Sequence, residues 1–151
     1  MEPKIINGGI SIDDRGSVRF INDFNFEKVV RFYQVENHKE GFVRAWHGHH
    51  KESKYVYVAK GSALVGAVPI EMMINKNIDE TKVFKTVLSS LSPKVLLIPK
   101  GYANGFKSLE EGTIIQFYSS LSLQDSLNDD IRFEHDLLDI WGQDDRWKFL
   151  F

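Results

Sequence analysis

Short runs rich in β-branched and aromatic residues, each closed quickly by a glycine, a proline or a polar turn, constrain this chain more than any other feature. Residues 29–35, 54–59, 63–68, 81–88, 95–98, 103–108 and 113–118 all have this character. Such side chains pack well on a pleated surface and lose rotamer freedom in a helix. Gly61 interrupts one stretch and predicts two strands joined by a tight turn at Lys60-Gly61-Ser62. Pro93, Pro99, Gly101, Gly105 and Gly112 fall between the runs or at their edges, where strand breakers belong. Apolar residues almost nowhere recur with helical period, and only residues 121–139 leave room for one or two short helical turns. About eight short strands at even spacing predict an all-β sandwich or barrel. No repeat, low-complexity tract or linker divides the sequence, so a single domain over 1–151 is expected.

Composition narrows the chemistry. A length of 151 residues is one domain's worth and supports a real hydrophobic core. The absence of cysteine excludes disulfides, thiol catalysis and Cys-ligated zinc or iron–sulfur sites. Nineteen basic against 21 acidic side chains, a formal charge of −2, argue against a basic-patch nucleic-acid binder. Met1-Glu2-Pro3-Lys4 does not open a signal peptide, and no apolar run approaches a membrane span of about 18 residues. The expected compartment is the cytoplasm, with no membrane partner. The apolar tail Trp147-Lys148-Phe149-Leu150-Phe151 is expected to pack on the body or on a second subunit.

The densest titratable cluster is Arg44-Ala45-Trp46-His47-Gly48-His49-His50, followed by Lys54. On an extended strand residues two apart share a face, so His47 and His49 point together. That pair is read either as the start of a metal site or as solvated histidines at a strand end. Gln34 and Asn37 are candidates for hydrogen bonds to a sugar or nucleotide. Trp46 and Tyr33 read as core residues, with stacking on a base as the alternative, and His38 and His135 as surface residues without a spacing signal.

The spacing Gly41, His47-Gly48-His49, position 54, Gly61 resembles the first motif of the cupin superfamily, small β-barrels of jelly-roll type. Metal-binding cupins carry Glu where this chain has Lys54. In Pro99-Lys100-Gly101-Tyr102-Ala103-Asn104, Asn104 stands where the third histidine ligand would be. Two of four ligands are lost, one to a cation, and a stable site needs about three. Neither a metal nor another cofactor is expected.

A closer resemblance lies at the same residues. Asp14-Arg15-Gly16, Arg44-Ala45-Trp46-His47, residues 54–61, Ile98-Pro99-Lys100-Gly101-Tyr102-Ala103-Asn104-Gly105-Phe106 and Gln116-Phe117-Tyr118 resemble, in order, successive blocks of the dTDP-4-dehydrorhamnose 3,5-epimerase family. The resemblance implies a cupin barrel and a homodimer formed through N-terminal strands. It also implies epimerisation of a nucleotide-linked 4-keto-6-deoxysugar, feeding a surface polysaccharide or glycosylated metabolite. By the same resemblance His47 is the base, Lys54 the enolate stabiliser and Tyr118 the acid on the opposite face. Arg15 and Arg44 match arginines used on the nucleotide diphosphate, for which a guanidinium fork is suited. Asn104 is carried over as a substrate contact.

Four departures stand out. Ala45 replaces the family's glycine, Asn104 replaces a histidine, and His49 and His50 are additional. The late aspartate that orients the family's histidine has no clear counterpart, with Asp144 or Asp145 as substitutes. Arg44-Ala45-Trp46-His47-Gly48-His49 is also similar to the Arg-Gly-x-His-Ala-His of dTDP-4-keto-6-deoxyglucose 3,4-ketoisomerases, in which both histidines move the proton. That leaves a ketoisomerase as the alternative enzyme and a non-catalytic sugar-binding cupin as the alternative of a different class.

Overall fold

A computed structural model describes residues 1–142. The tail from Trp147 to Phe151, and Asp144 and Asp145, lie outside the described residues. In chain order the strands are β1 (Lys4–Asn7), β2 (Gly9–Asp13), β3 (Gly16–Phe20), β4 (Arg31–Glu36), β5 (Val43–His49) and β6 (Lys54–Lys60). They continue with β7 (Ser62–Pro69), β8 (Phe84–Ser89), β9 (Lys94–Ile98), β10 (Tyr102–Ser108), β11 (Ile114–Ser119) and β12 (Asp130–Arg132). Two short helices, α1 (Ile70–Asn75) and α2 (Leu123–Asn128), join them.

Ten strands form two antiparallel five-stranded sheets, ordered β1-β9-β6-β11-β4 and β12-β5-β10-β7-β8. This is the expected all-β barrel of cupin type. The seven runs read from the sequence each overlap a strand, with ends that coincide or differ by up to three residues. Residues 81–82 form part of a single 3₁₀ turn rather than the start of β8. Helix α1 has no counterpart in the sequence reading, because its six residues, Ile-Glu-Met-Met-Ile-Asn, are too short to show a period.

Strand alternation produces two cores. The inner one lies between the sheets and holds Val56, Val58, Ala63, Val65, Leu96, Ile98, Ile115 and Phe117. The second lies on the outer face of the β5-β10-β7 sheet, where Trp46, Leu64, Val68, Ile70, Met73 and Trp141 pack together. Strand β7 is sandwiched between the two and is buried from Ala63 to Val68, which explains its unbroken apolar run. Gly61 makes the β6–β7 turn at φ +79°, where a Cβ would stand 2.4 Å from Thr113 Oγ1.

Candidate active site

Between the sheets opens a cavity of about 520 Å³. One wall carries Arg44, Ala45 and His47 from β5 and Asn104 and Phe106 from β10. The facing wall carries Tyr33 and Val35 from β4, Lys54 from β6 and Phe117 from β11. Arg132 and His135 close one side. From His47 onward period-2 alternation sets the membership, and a register shift between Asn104 and Phe106 in the β5–β10 pairing is where Arg44 and Ala45 both reach the cavity. In β5, His47 and His49 point between the sheets, while Trp46 and Gly48 face the second core, where a Cβ on Gly48 would meet Ile70 and Phe133 at 3.1–3.2 Å.

Lys54 is the first inward residue of β6, in line with Val56 and Val58, and is 6% exposed. Its ammonium lies 5.8 Å from the ring centroids of both Tyr33 and Phe117. No carboxylate among the described residues pairs with it. A buried lysine without an anion costs folding energy unless something else uses the charge, and the two aromatic faces offset only part of that cost.

His47 is half-buried. Burial pushes its imidazole below the ordinary histidine range; Arg132, Lys54 and His49 add to the shift and Asp130 opposes it. The neutral imidazole is therefore favoured, the form a base requires. No carboxylate among the described residues lies within ion-pair distance of His47. Asp130, the carboxylate that acts on it, is itself engaged: its Oδ2 accepts from Arg132 Nε at 2.9 Å. Asn104 sits opposite His47 in the β5–β10 register, and its Nδ2 donates to the His47 carbonyl at 3.4 Å.

His49 is 4% exposed and does not line the cavity. Its Nδ1 lies 3.1 Å from Glu52 Oε2 and 3.7 Å from Asp129 Oδ2, neither aligned as a hydrogen bond. Burial, then Lys54, hold this imidazole down as well, against the carboxylates Glu52, Asp129 and Asp130. Glu52 was not anticipated from the sequence. Its buried carboxylate accepts from Ser119 Oγ, from Ser126 Oγ at 2.9 Å and from Arg31 Nη2 at 3.3 Å. Asp129 gathers the backbone N–H groups of His50, Lys51 and Glu52 at 2.9–3.2 Å and so shapes the β5–β6 loop.

Several expected positions fall elsewhere. Tyr118 is one residue out of phase: Phe117 points into the cavity, and Tyr118 faces outward among Phe24, Phe26 and Phe32. Its hydroxyl donates to Gln116 Oε1 at 2.9 Å. Gln34 is exposed on the outer face of β4. Asn37 is buried behind the cavity, where its Oδ1 accepts from Arg44 Nε at 2.7 Å and holds that side chain. Arg15 sits at the tip of the β2–β3 hairpin, paired with Asp13 at 2.6 Å, beside a separate cavity of about 260 Å³. Tyr33, read as core, lines the main cavity. Arg132, which the sequence did not single out, and His135, read as a surface residue and exposed at the cavity's edge, also line it. In the Ile-Arg-Phe segment no spacing signal distinguished Arg132 from a surface arginine.

The cavity therefore combines cations (Arg44, Lys54, Arg132) with a neutral histidine, an arrangement that attracts an anionic substrate and stabilises an oxyanion within it. Glu134, His135 and Asp136 are close enough together to hold an ion, but all three are exposed turn residues.

No curated protein matches the sequence. Among solved structures, the chain is similar to a dTDP-6-deoxy-D-glucose-3,5-epimerase from Legionella pneumophila in complex with dTDP-4-keto-L-rhamnose. The TM-score is 0.72 at 21% identity, covering 95% of this chain and 80% of that one. It is also similar to a double mutant of a 3'-monoepimerase from Streptomyces bikiniensis in complex with dTDP, with TM-score 0.73, 16% identity and coverage of 93% and 74%. A 3,4-ketoisomerase from Helicobacter canadensis aligns with TM-score 0.66, 20% identity and coverage of 91% and 95%. At these identities the likeness concerns the fold, and the family assignment comes from the sequence. Residues 5–145 match the profile described as dTDP-4-dehydrorhamnose 3,5-epimerase, and the chain belongs to that family.

Proposed function

We propose that this protein epimerises a nucleotide-linked 4-keto-6-deoxysugar, with His47 removing the proton beside the ketone and Lys54 stabilising the enolate oxygen. The observation that carries this reading is a half-buried histidine facing a buried, carboxylate-free lysine across a cationic cavity. An ammonium held where negative charge develops stabilises the enolate more than the ketone, and that difference accelerates the reaction. Arg44, steadied by Asn37, and Arg132 both line the cavity, which supports assigning them to the diphosphate. Asn104 completes the His47 wall as a sugar contact. The chemistry as written uses no metal and no cofactor.

The N-terminal hairpin supports reading the protein as a homodimer. Strands β2 and β3 pair only with each other among the described residues, and Ile12 and Val18 are 72% and 64% exposed. A lone hairpin is marginal in water, and an uncovered apolar patch marks an interface. In this reading a second copy covers the patch, and Arg15, which lines a cavity other than that of His47 and Lys54, serves the diphosphate of the neighbouring subunit. No helix among the described residues is long and apolar enough to cross a membrane; a nucleotide-sugar substrate agrees with the cytoplasm.

The ketoisomerase reading draws on one observation, the second histidine two residues along the same inner face with Glu52 beside it. Proton NMR with dTDP-4-keto-6-deoxyglucose in deuterium oxide tests both. Exchange of a carbon-bound proton with inversion at carbon 3 or 5 is expected, and is lost in His47→Ala. Accumulation of a 3-keto product supports the ketoisomerase instead. Saturable binding without exchange overturns catalysis.

A further inference from the structure

Inverting a carbon centre through a planar enolate requires a proton to leave one face and a different proton to arrive at the other. His47 supplies the first function from β5, in one sheet. The second must come from the facing sheet, and Tyr118 is turned away from it. We propose that Tyr33 is the acid: its phenol, on the wall opposite His47, returns the proton that completes inversion. This rests on the epimerase reading above.

Three observations carry it. Of the five tyrosines in the chain, only Tyr33 lines the cavity that holds His47 and Lys54. Its strand, β4, belongs to the opposite sheet from β5, so a flat enolate held between the walls presents one face to His47 and the other to Tyr33. The ring is also held by an aromatic neighbour and two cations. It pairs in register with Phe117, stacks on it at 5.1 Å and 11°, and has Arg31 Cζ 5.2 Å and Lys54 Nζ 5.8 Å from its centroid. No group among the described residues engages the Tyr33 hydroxyl in a hydrogen bond.

The step balances without a co-reactant. The carbon–hydrogen bond breaks toward His47, and its electron pair moves to the ketone oxygen, which Lys54 stabilises. The ketone re-forms as the carbon takes the phenolic proton from the opposite face. That leaves a phenolate beside two cations and an imidazolium, and exchange with solvent resets both.

The test compares two readouts on one substrate. The full chain, wild type and Tyr33→Phe, is followed with dTDP-4-keto-6-deoxyglucose in deuterium oxide. One readout is deuterium entry at carbon; the other is the appearance of inverted product. Tyr33→Phe is expected to keep exchange within about threefold of wild type, because His47 can return deuterium to the face it came from. Inversion should fall roughly 100-fold or more, the usual scale for a lost general acid. KM should stay near the wild-type value. Tyr118→Phe is expected to invert like wild type.

Inversion by Tyr33→Phe at the wild-type rate overturns the proposal. So does a parallel fall of exchange and inversion, which marks a structural role. Selective loss of inversion in Tyr118→Phe assigns the acid to Tyr118 and overturns it too. If wild type shows no exchange, the epimerase reading fails and the assignment of Tyr33 fails with it. If wild type exchanges and inverts while the Tyr33→Phe ratio is unchanged, only the assignment fails.

Discussion

Replacing Glu52 with glutamine keeps the volume of the side chain and removes the carboxylate at the centre of a buried polar network. Glu52 is 2% exposed and accepts from two serine hydroxyls and the Arg31 guanidinium, with His49 Nδ1 at 3.1 Å. The hydroxyls can rotate to meet an amide, so their contribution is largely retained. The Arg31 contact is not: its partner becomes neutral or, with the amide turned the other way, a second donor. A hydrogen bond to a charged group contributes roughly 1.5–3 kcal/mol, and breaking a buried pair from one side costs about 3–5 kcal/mol. Arg31 is 23% exposed, so water replaces part of what is lost. A destabilisation of about 3 kcal/mol follows. For a chain of this length each kcal/mol lowers Tm by roughly 2–4 °C, so Glu52→Gln should melt about 6–12 °C below wild type. Urea unfolding followed by circular dichroism, with Ser126→Ala as a milder comparison at about 1 kcal/mol, measures it. A Glu52→Gln protein melting within about 2 °C of wild type, at equal urea slope, would refute the view that this carboxylate holds the β5–β6 loop to α2 and β11.

Other outcomes follow from the same geometry. Because burial depresses both His47 and His49, the unfolded chain binds more protons than the native one as pH falls below the ordinary histidine value of about 6.5. Their contribution to stability is therefore complete above that pH and is lost as pH falls through the lower native values; a urea midpoint that did not decline between pH 7 and pH 5 would contradict it. The base limb of the exchange rate should likewise lie below the ordinary histidine value. Lys54→Met, which keeps the apolar stem against Tyr33 and Phe117, should leave the fold intact and slow exchange roughly 10²–10³-fold, the scale of a lost oxyanion donor; turnover near wild type would show that the ammonium has no such role. Gly61→Ala forces a side chain into the left-handed region and within 2.4 Å of Thr113 Oγ1, and should cost about 1–3 kcal/mol in a denaturant titration.

How much of the site was legible depended on whether a residue's role follows from its own strand. Lys54, Val56 and Val58 share a face by period 2, so the placement of Lys54 between the sheets followed from the run itself. The His47-x-His49 pair was legible for the same reason. The outward turn of Tyr118 was not legible, because β11 carries an aromatic on each face, Phe117 and Tyr118. Ile115 and Phe117 enter the inner core, while Tyr118 is covered from outside by Phe24 and Phe26, and nothing local says which aromatic faces inward. Glu52 was missed because its partners Ser119 and Ser126 are 67 and 74 residues away.

The one-dimensional pattern thus determined the strand-rich fold, the turn at Gly61, and the residue types on which the chemistry rests, since propensity, turn geometry and period-2 alternation are local properties. The tertiary structure decided which aromatic lines the cavity, which carboxylate stands beside which histidine, and that Arg15 lies outside its own chain's site. Those are matters of phase between strands and of contacts across the barrel. A one-residue slip of phase exchanges inside for outside without changing the composition of the run, and only the packed sheets select between the two.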